Sequence, residues 1–178
     1  MNKIALTIIV LVTLGVQGCG VYSFSGASID PRVKTISIQF FFDEVGAGPP
    51  TLSQQFTEEL RDYFQQNTTL KMVDFGGDIQ LEGSITGYNT RPLAARSGGN
   101  QNPGFEDADV SGQERLTITV GVGYINAIDE TKDFNKAFSF YRDYDPERES
   151  LTNNEQEFVD EIIEQIILDI FNATVSDW

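Results

Sequence analysis

The residue of this chain best placed for covalent chemistry is its only cysteine, Cys19, at the end of an apolar N-terminal run. Lys3 precedes that run. The stretch Ile4–Leu14 is too short to span a bilayer as a helix but has the length of a secretory signal core. The small residue Gly18 comes directly before Cys19, at the position where a signal peptidase cuts. This order of a basic residue, an apolar core and a small residue predicts a signal peptide over residues 1–18.

The segment Val16-Gln17-Gly18-Cys19 resembles the lipobox of bacterial lipoproteins. The resemblance implies cleavage before Cys19, a diacylglycerol on its thiol and a further acyl chain, such as palmitate, on its new amine. Three acyl chains exceed the two signals that stable membrane anchoring needs. Residues 19–33, which are rich in glycine and serine, then form a lipidated tether. The alternative is an ordinary signal peptide followed by an incidental or structural cysteine.

The rest of the chain lacks the residue types on which most catalytic and metal sites depend. It has no histidine, the commonest general base and the commonest metal ligand. A single cysteine excludes an internal disulfide, and its lipidation leaves no free thiol. The carboxylate pairs Asp107/Asp109 and Asp143/Asp145 lack the loop pattern of a dedicated calcium site. The sequence therefore predicts a protein that is not an enzyme and has no catalytic residue, metal site or cofactor.

The chain is strongly acidic. Its formal net charge is -15, from 12 basic and 27 acidic residues, and loss of Lys3 with the signal peptide leaves 11 against 27, or -16. Nucleic-acid binding needs lysine and arginine to neutralise phosphates, so this balance argues against it. The same balance argues against broad adsorption to an anionic membrane surface. Attachment to a membrane therefore depends on the lipid rather than on the protein surface.

Four basic residues are candidates for local contact with a phosphorylated or carboxylated ligand on this acidic background. They are Arg91 and Arg96 in a long aperiodic segment, Arg115 at the start of the next strand, and Lys136 on the last strand. The alternative for each residue is pairing with a nearby acid or simple solvation.

Apolar residues at alternate positions predict strands. Lys34–Phe42 places Ile36, Ile38, Phe40 and Phe42 on one face. A short strand follows at Leu70–Phe75, and longer alternating runs cover Asp78–Asn89, Arg115–Asp129 and Phe134–Tyr144. The last two runs, joined by a polar connection, predict a hairpin.

Two helices are predicted from capping boxes and from apolar stripes at helical spacing. The first starts at Thr51-Leu52-Ser53-Gln54 and continues to about Asn67. The second starts at Thr152-Asn153-Asn154-Glu155 and carries pairs of apolar residues four apart, from Phe158 to Phe171. The predicted fold is a single α+β domain over residues 34–178, a two-layer sandwich with two helices packed on one face of a mixed four- to five-stranded sheet.

The ordered set of segments is similar to a known family, the outer-membrane lipopolysaccharide-assembly lipoproteins called LptE, in the form found in Bacteroidota. The similarity begins at Cys19-Gly20-Val21-Tyr22-Ser23-Phe24 and continues through Val33–Ile38, Leu81–Tyr88 and Arg115–Val120 to the closing acidic, isoleucine-rich helix. It covers nearly all of the mature chain, although no single motif in it is as specific as a metal signature.

This resemblance implies two helices on a four-stranded sheet and a lipid-anchored, periplasm-facing location at the outer membrane. It further implies that the domain plugs the LptD β-barrel, assists its assembly and takes part in transporting lipopolysaccharide to the outer leaflet. Lipopolysaccharide is anionic and this domain is acidic. Direct binding of this ligand would therefore be local, through Arg91, Arg96, Arg115 or Lys136.

Two other functions remain open from the residues alone. One is a lipid-anchored carrier that holds a small apolar ligand between sheet and helices, in a cavity beneath Phe40, Phe140 and Phe158. The other is an accessory subunit of a different envelope machine.

Overall fold

The structure is a computed structural model that describes residues 29–93 and 112–175. The predicted signal peptide, Cys19, most of the predicted tether and Arg96 lie outside these residues. Two helices and six strands make up the described chain. In chain order they are β1 (Thr35–Ile38), β2 (Phe42–Asp43), α1 (Leu52–Asn67), β3 (Lys71–Met72), β4 (Ile79–Pro92), β5 (Glu114–Asn126), β6 (Phe134–Tyr144) and α2 (Leu151–Val175), with a short 3-10 helix at Glu130–Lys132.

The six strands form one mixed sheet in the order β3-β1-β4-β5-β6, and β2 pairs with β4 beyond the end of β1. β1 and β2 run parallel to β4, and β3 runs parallel to β1. β4, β5 and β6 form an antiparallel meander, which confirms the predicted hairpin of β5 and β6. The sheet has one strand more than the four to five predicted, because the two residues of β2 pair separately from β1.

Both helices pack on the same face of the sheet, as predicted. The apolar stripe of α1 is buried at Leu52, Phe56, Leu60 and Phe64. That of α2 is buried along its whole length, from Phe158 to Val175. Tyr63 and Phe64 of α1 meet Phe171 of α2 with ring centroids 5.0 and 5.1 Å apart. The fold is therefore an α+β sandwich, and neither of these helices is long and apolar enough to span a bilayer.

The first strand departs from the predicted alternation after Ile38. Phe41 is fully buried, whereas Phe40 and Phe42, predicted to face the core, are 41% and 66% exposed. The backbone N–H of Phe41 donates to Thr57 Oγ1 at 3.1 Å. The side-chain hydroxyl of α1 thus takes the place of a neighbouring strand as the acceptor for this N–H. As a result, the alternation of buried and exposed residues shifts by one position between β1 and β2.

Both predicted capping boxes are wrong. Thr51 precedes α1 but has helical backbone angles and makes no side-chain cap. α2 already includes Leu151, and the carbonyl of Ser150 accepts from the N–H groups of Asn153 and Asn154. Thr152 is therefore inside the helix rather than at its cap.

The two ends of the sheet are built differently. At the proximal end, β1 begins beside Ile79 and the β5–β6 connection, and Val33 is buried in the core although the sequence placed it in the tether. At the distal end, the long strands β4, β5 and β6 extend past β1 and β2, and the N–H of Leu93 donates to Gln113. The 14 residues of β4 span about 45 Å between these ends.

Candidate functional site on the open face of the sheet

In residues 29–93 and 112–175, no helix covers the sheet face opposite α1 and α2. We call it the open face. Successive side chains of a strand point to opposite faces of the sheet. The open face therefore carries the residues that alternate in sequence with those buried under the helices. Most are small and polar, and they come from three adjacent strands: Glu82, Ser84 and Thr86 of β4, Thr117, Thr119, Gly121 and Gly123 of β5, and Asn135, Ala137, Ser139 and Tyr141 of β6.

Two exposed aromatic rings border this face on the side of β1 and β2. Phe40 and Phe42 contact each other edge to face, with centroids 5.0 Å apart. They overhang a shallow depression of about 540 Å³ whose floor includes Ser84, Gly121 and Gly123. Exposed phenylalanines of this kind mark a surface that another molecule covers more often than a merely solvated one.

The sequence pattern concealed this aromatic border, since strict alternation placed Phe40 and Phe42 in the core. The signal that could have revealed it is the run Phe40-Phe41-Phe42 itself. Three consecutive large apolar residues cannot all face one side of a strand, so at least one had to face outward.

At the distal end of the open face, Arg115 is held by two partners. Its guanidinium donates to both carboxylate oxygens of Asp143, at 2.6 and 2.7 Å, and lies 3.5 Å above the ring of Tyr141. The hydrogen bond to Asp143 raises the pKa of Arg115 further above its ordinary value. Arg91 is the register partner of Arg115 on β4, so the two arginines lie side by side.

The structure therefore places the candidate basic residues at separate sites. Arg91 and Arg115 are neighbours, whereas Lys136 pairs with Val122, seven residues along β5 from Arg115. That spacing corresponds to about 24 Å along the strand. Lys136 also lies on the helix side of β6, with its ammonium 4.9 Å from the ring centre of Phe138. The ligand-binding role of all four residues, including Arg96 outside the described part, stays a prediction.

The helix side of the domain is markedly more acidic than the open face. Its exposed or half-buried carboxylates include Glu58, Glu59, Asp62, Glu157, Asp160, Glu161 and Glu164. Burial raises the pKa of Glu59, and the nearby charges of Asp160, Glu164 and Asp62 add to this effect. An anionic ligand is therefore repelled from this side of the domain.

Of the two carboxylate pairs weighed from the sequence, Asp107/Asp109 lies outside the described residues. Asp143/Asp145 and the rings named for the alternative carrier function lie within them. Across residues 29–93 and 112–175, no three metal-ligating side chains converge, and Asp143 is taken up by Arg115. Phe40 lies on the open face and is 41% exposed, Phe140 is 37% exposed, and Phe158 is buried under the helices. These three rings do not surround a common space.

Comparisons with known proteins identify one family. The model of the family LptE, described as lipopolysaccharide-assembly, matches residues 33–174. Among solved structures, the chain is similar to rare lipoprotein B from Shewanella oneidensis, with a TM-score of 0.49 and 15% identity over 79% of this chain and 90% of that one. It is also similar to an uncharacterized lipoprotein B from Nitrosomonas europaea, with a TM-score of 0.48 and 11% identity over 78% and 80%. No curated protein matches the sequence.

Proposed function

The chain belongs to the lipopolysaccharide-assembly family LptE, and from this premise we propose that it is a non-enzymatic assembly partner and plug of an LptD-type β-barrel. Its role is to support transport of lipopolysaccharide to the outer leaflet. A lipid on Cys19 holds it at the outer membrane, with the folded domain facing the periplasm.

The observation that carries this proposal is the open face. A barrel lumen is lined with polar side chains, and the small polar residues of β4, β5 and β6 allow such a wall to approach the sheet closely. The exposed rings of Phe40 and Phe42 would then be covered by the barrel rather than by water. A protein that functioned alone in solution would gain nothing from this exposed aromatic pair.

The position of the N-terminus is compatible with an anchor on Cys19. Ile29 packs against the core at the proximal end of the sheet, and the ten residue steps from Cys19 to Ile29 reach at most about 35 Å. The distal end, with Arg91 and Arg115, lies about 40 Å from Ile79 along β4. The domain can therefore remain attached to the inner leaflet while its distal end points away from the anchor.

Direct contact with lipopolysaccharide, if the barrel presents it, is proposed at the distal end. Arg91 is exposed there, beside an arginine whose charge Asp143 already neutralises. It is thus the described cation best placed to meet a phosphate. Arg91→Glu should weaken lipopolysaccharide retention by the purified complex while leaving barrel recovery unchanged. Equal retention by this variant and the wild type would remove Arg91 from the ligand site.

The partner is tested by affinity purification of the tagged, full-length protein from outer membranes in mild detergent. Recovery of a large heat-modifiable barrel protein, identified by mass spectrometry as LptD-like, is expected for the wild type. Phe42→Glu, which places a charge on the open face, should reduce this recovery. Gln65→Glu, which places the same charge on the exposed side of α1, is the matched control and should not.

Two results would contradict the proposal. One is recovery of the wild-type lipoprotein without a barrel, together with unaltered surface lipopolysaccharide in a depletion strain. The other is equal barrel recovery with Phe42→Glu and Gln65→Glu, which would exclude the open face as the contact surface.

A further inference from the structure

The two outer edges of the sheet differ in length and in protection. β3, at one edge, has two residues. Side chains occupy the backbone groups beside it: Arg61 donates to the carbonyl of Ile38 at 2.7 and 3.1 Å, and the Gln39 amide donates to that of Asp74 at 3.0 Å. β6, at the other edge, has eleven residues, seven of them exposed. In the part of the chain that the structure describes, no strand pairs with its outer side.

A long exposed edge is a template for pairing with another strand. In an antiparallel pair, alternate residues direct their N–H and C=O groups away from the partner, so about five residues of β6 offer both groups outward. The strand contains no proline. Phe140 and Tyr141, 37% and 46% exposed, lie on its two opposite faces and would flank a strand that added there.

The charges of β6 indicate what kind of strand it accepts. In a chain of net charge -15, β6 carries Lys136 and Arg142 against the single acid Asp143. Arg142 is paired with Glu149 and Glu161 of the α2 region, and Asp143 with Arg115. Arg142 with its two acids carries a net charge of -1, Arg115 and Asp143 cancel, and Lys136 restores neutrality. A locally neutral edge on an acidic domain favours an uncharged strand over an acidic one. A second copy of the chain is disfavoured, because edge-to-edge pairing would bring two strongly acidic domains together.

We propose that β6 binds an uncharged, strand-forming segment of the barrel partner by main-chain hydrogen bonding. This inference rests on the proposed function. Because the strands of a closed barrel have no free edge, the segment must come from outside the barrel wall, from a loop or a terminal region. The contact adds a strand to the sheet and is separate from any contact on the open face.

Hydrogen exchange of the full-length lipoprotein, free and in the purified complex with the barrel, measures this pairing directly. About half of the β6 amides, those directed toward β5, should be protected in both states. The other half should exchange rapidly in the free protein and become protected in the complex. The amides of β3 should show no comparable change.

Proline variants test whether the main chain, rather than the side chains, makes the contact. Lys136 and Ala137 are adjacent, so one N–H points to β5 and the other points outward. Proline at the position whose N–H points outward should leave the unfolding midpoint unchanged, so the midpoints of Lys136→Pro and Ala137→Pro identify that position. The variant identified in this way should reduce barrel recovery by about tenfold, which corresponds to about 1.4 kcal/mol of binding free energy. If that variant is Lys136→Pro, Lys136→Gln controls for the lost charge.

Met72→Pro is the matched control at the protected edge. Lys71 and Val73 donate their N–H groups to β1, so the N–H of Met72 points away from the sheet, and barrel recovery should stay within about twofold of the wild type.

The outcomes separate this inference from the proposed function. Barrel recovery that the outward proline leaves unchanged, or unchanged exchange of β6 in the complex, overturns the edge contact and leaves the function standing. Slow exchange of the outward β6 amides in the free monomer would mean that another part of the chain covers this edge. Slow exchange of these amides in a free dimer would mean that a second copy covers it. Either result overturns the inference. Absence of any barrel in the wild-type preparation overturns both proposals.

Discussion

The two faces of one sheet differ in side-chain size, polarity and exposure. Under the helices, Ile36, Leu81, Ile85, Leu116 and Val120 are all at most 1% exposed. On the open face the same strands carry serine, threonine, glycine and asparagine, bordered by the exposed rings of Phe40 and Phe42. Apolar burial on the covered face provides most of the folding free energy. The open face contributes little to it, so its residues are free to be chosen for recognition, and substitutions on the two faces should have separable effects.

The largest expected difference in the free energy of unfolding is between alanine variants of one phenylalanine from each face. Phe158 is 1% exposed and packs against Tyr144, with centroids 5.2 Å apart. Phe158→Ala should lower the free energy of unfolding by about 3–5 kcal/mol, through lost burial and the cavity left behind. Phe42→Ala should change it by less than about 0.5 kcal/mol. Urea denaturation followed by circular dichroism measures both, and similar losses for the two variants would refute the division between the faces.

The next comparison uses two glycines. A Cβ at Gly83 would lie 2.0 Å from the carbonyl oxygen of Gly121 and 2.6 Å from the ring of Phe41. Gly83→Ala therefore requires backbone movement and should cost about 1–3 kcal/mol. A Cβ at Gly121 would lie no closer than 3.4 Å to another atom, the methyl group of Thr86. Gly121→Ala should be neutral or slightly stabilising, since alanine has less freedom in the unfolded chain.

Thermal unfolding of these two glycine variants provides the measurement. A stable Gly83→Ala variant would show that Phe41 and the β4–β5 pair can rearrange without loss. The covered face would then tolerate larger side chains than its close packing indicates.

A smaller effect is expected for a buried hydroxyl. Thr57 is 1% exposed, accepts the N–H of Phe41 at 3.1 Å and donates to the carbonyl of Ser53 at 2.8 Å. Thr57→Val should lower the free energy of unfolding by about 1–2 kcal/mol, because the Phe41 N–H loses its acceptor in a buried place. Thr117→Val on the open face is the control, and it should be near neutral because valine suits a strand. Urea midpoints that shift equally for the two variants would contradict the role of Thr57 in the change of face at Phe41.

The smallest expected change in stability follows from replacing a carboxylate at the proximal end, and its size depends on pH. Asp78 accepts the N–H groups of Lys34 and Thr35 at 2.8 and 2.9 Å. These backbone hydrogen bonds, with that of the Thr35 hydroxyl, lower the pKa of Asp78. A carboxylate with a lowered folded pKa stabilises the fold above its unfolded pKa, and this contribution is lost as the pH falls through the folded value.

Asp78→Asn should therefore be less stable than the wild type at pH 7, and the difference should shrink by about pH 3. Thermal melts across this range provide the measurement. A difference that is independent of pH would show that Asp78 acts through its shape rather than its charge.

The agreement between sequence and structure depends on how local each interaction is. The strand β6 was predicted with its observed bounds, and the buried face of β5 and the stripe of α2 were predicted residue by residue, because periodicity alone determines which side of a regular element is apolar. The predictions failed where a group distant in the sequence determines the orientation or the charge pairing of a residue. Phe41 turns inward because Thr57 of α1 accepts its N–H, and Arg115 is neutralised by Asp143, 28 residues away.

By itself, the sequence determined the α+β class, the two helices on one face, the lack of histidine and the resemblance to one family. These features follow from composition and short-range periodicity. The tertiary structure alone decided that β1 lies between β3 and β4 and that Phe40 and Phe42 border an open face. It also decided that one sheet edge is short and protected, while the other is long and has no outer partner among the described residues. Pairing order, face and edge depend on contacts between residues far apart in the chain, which no local pattern records.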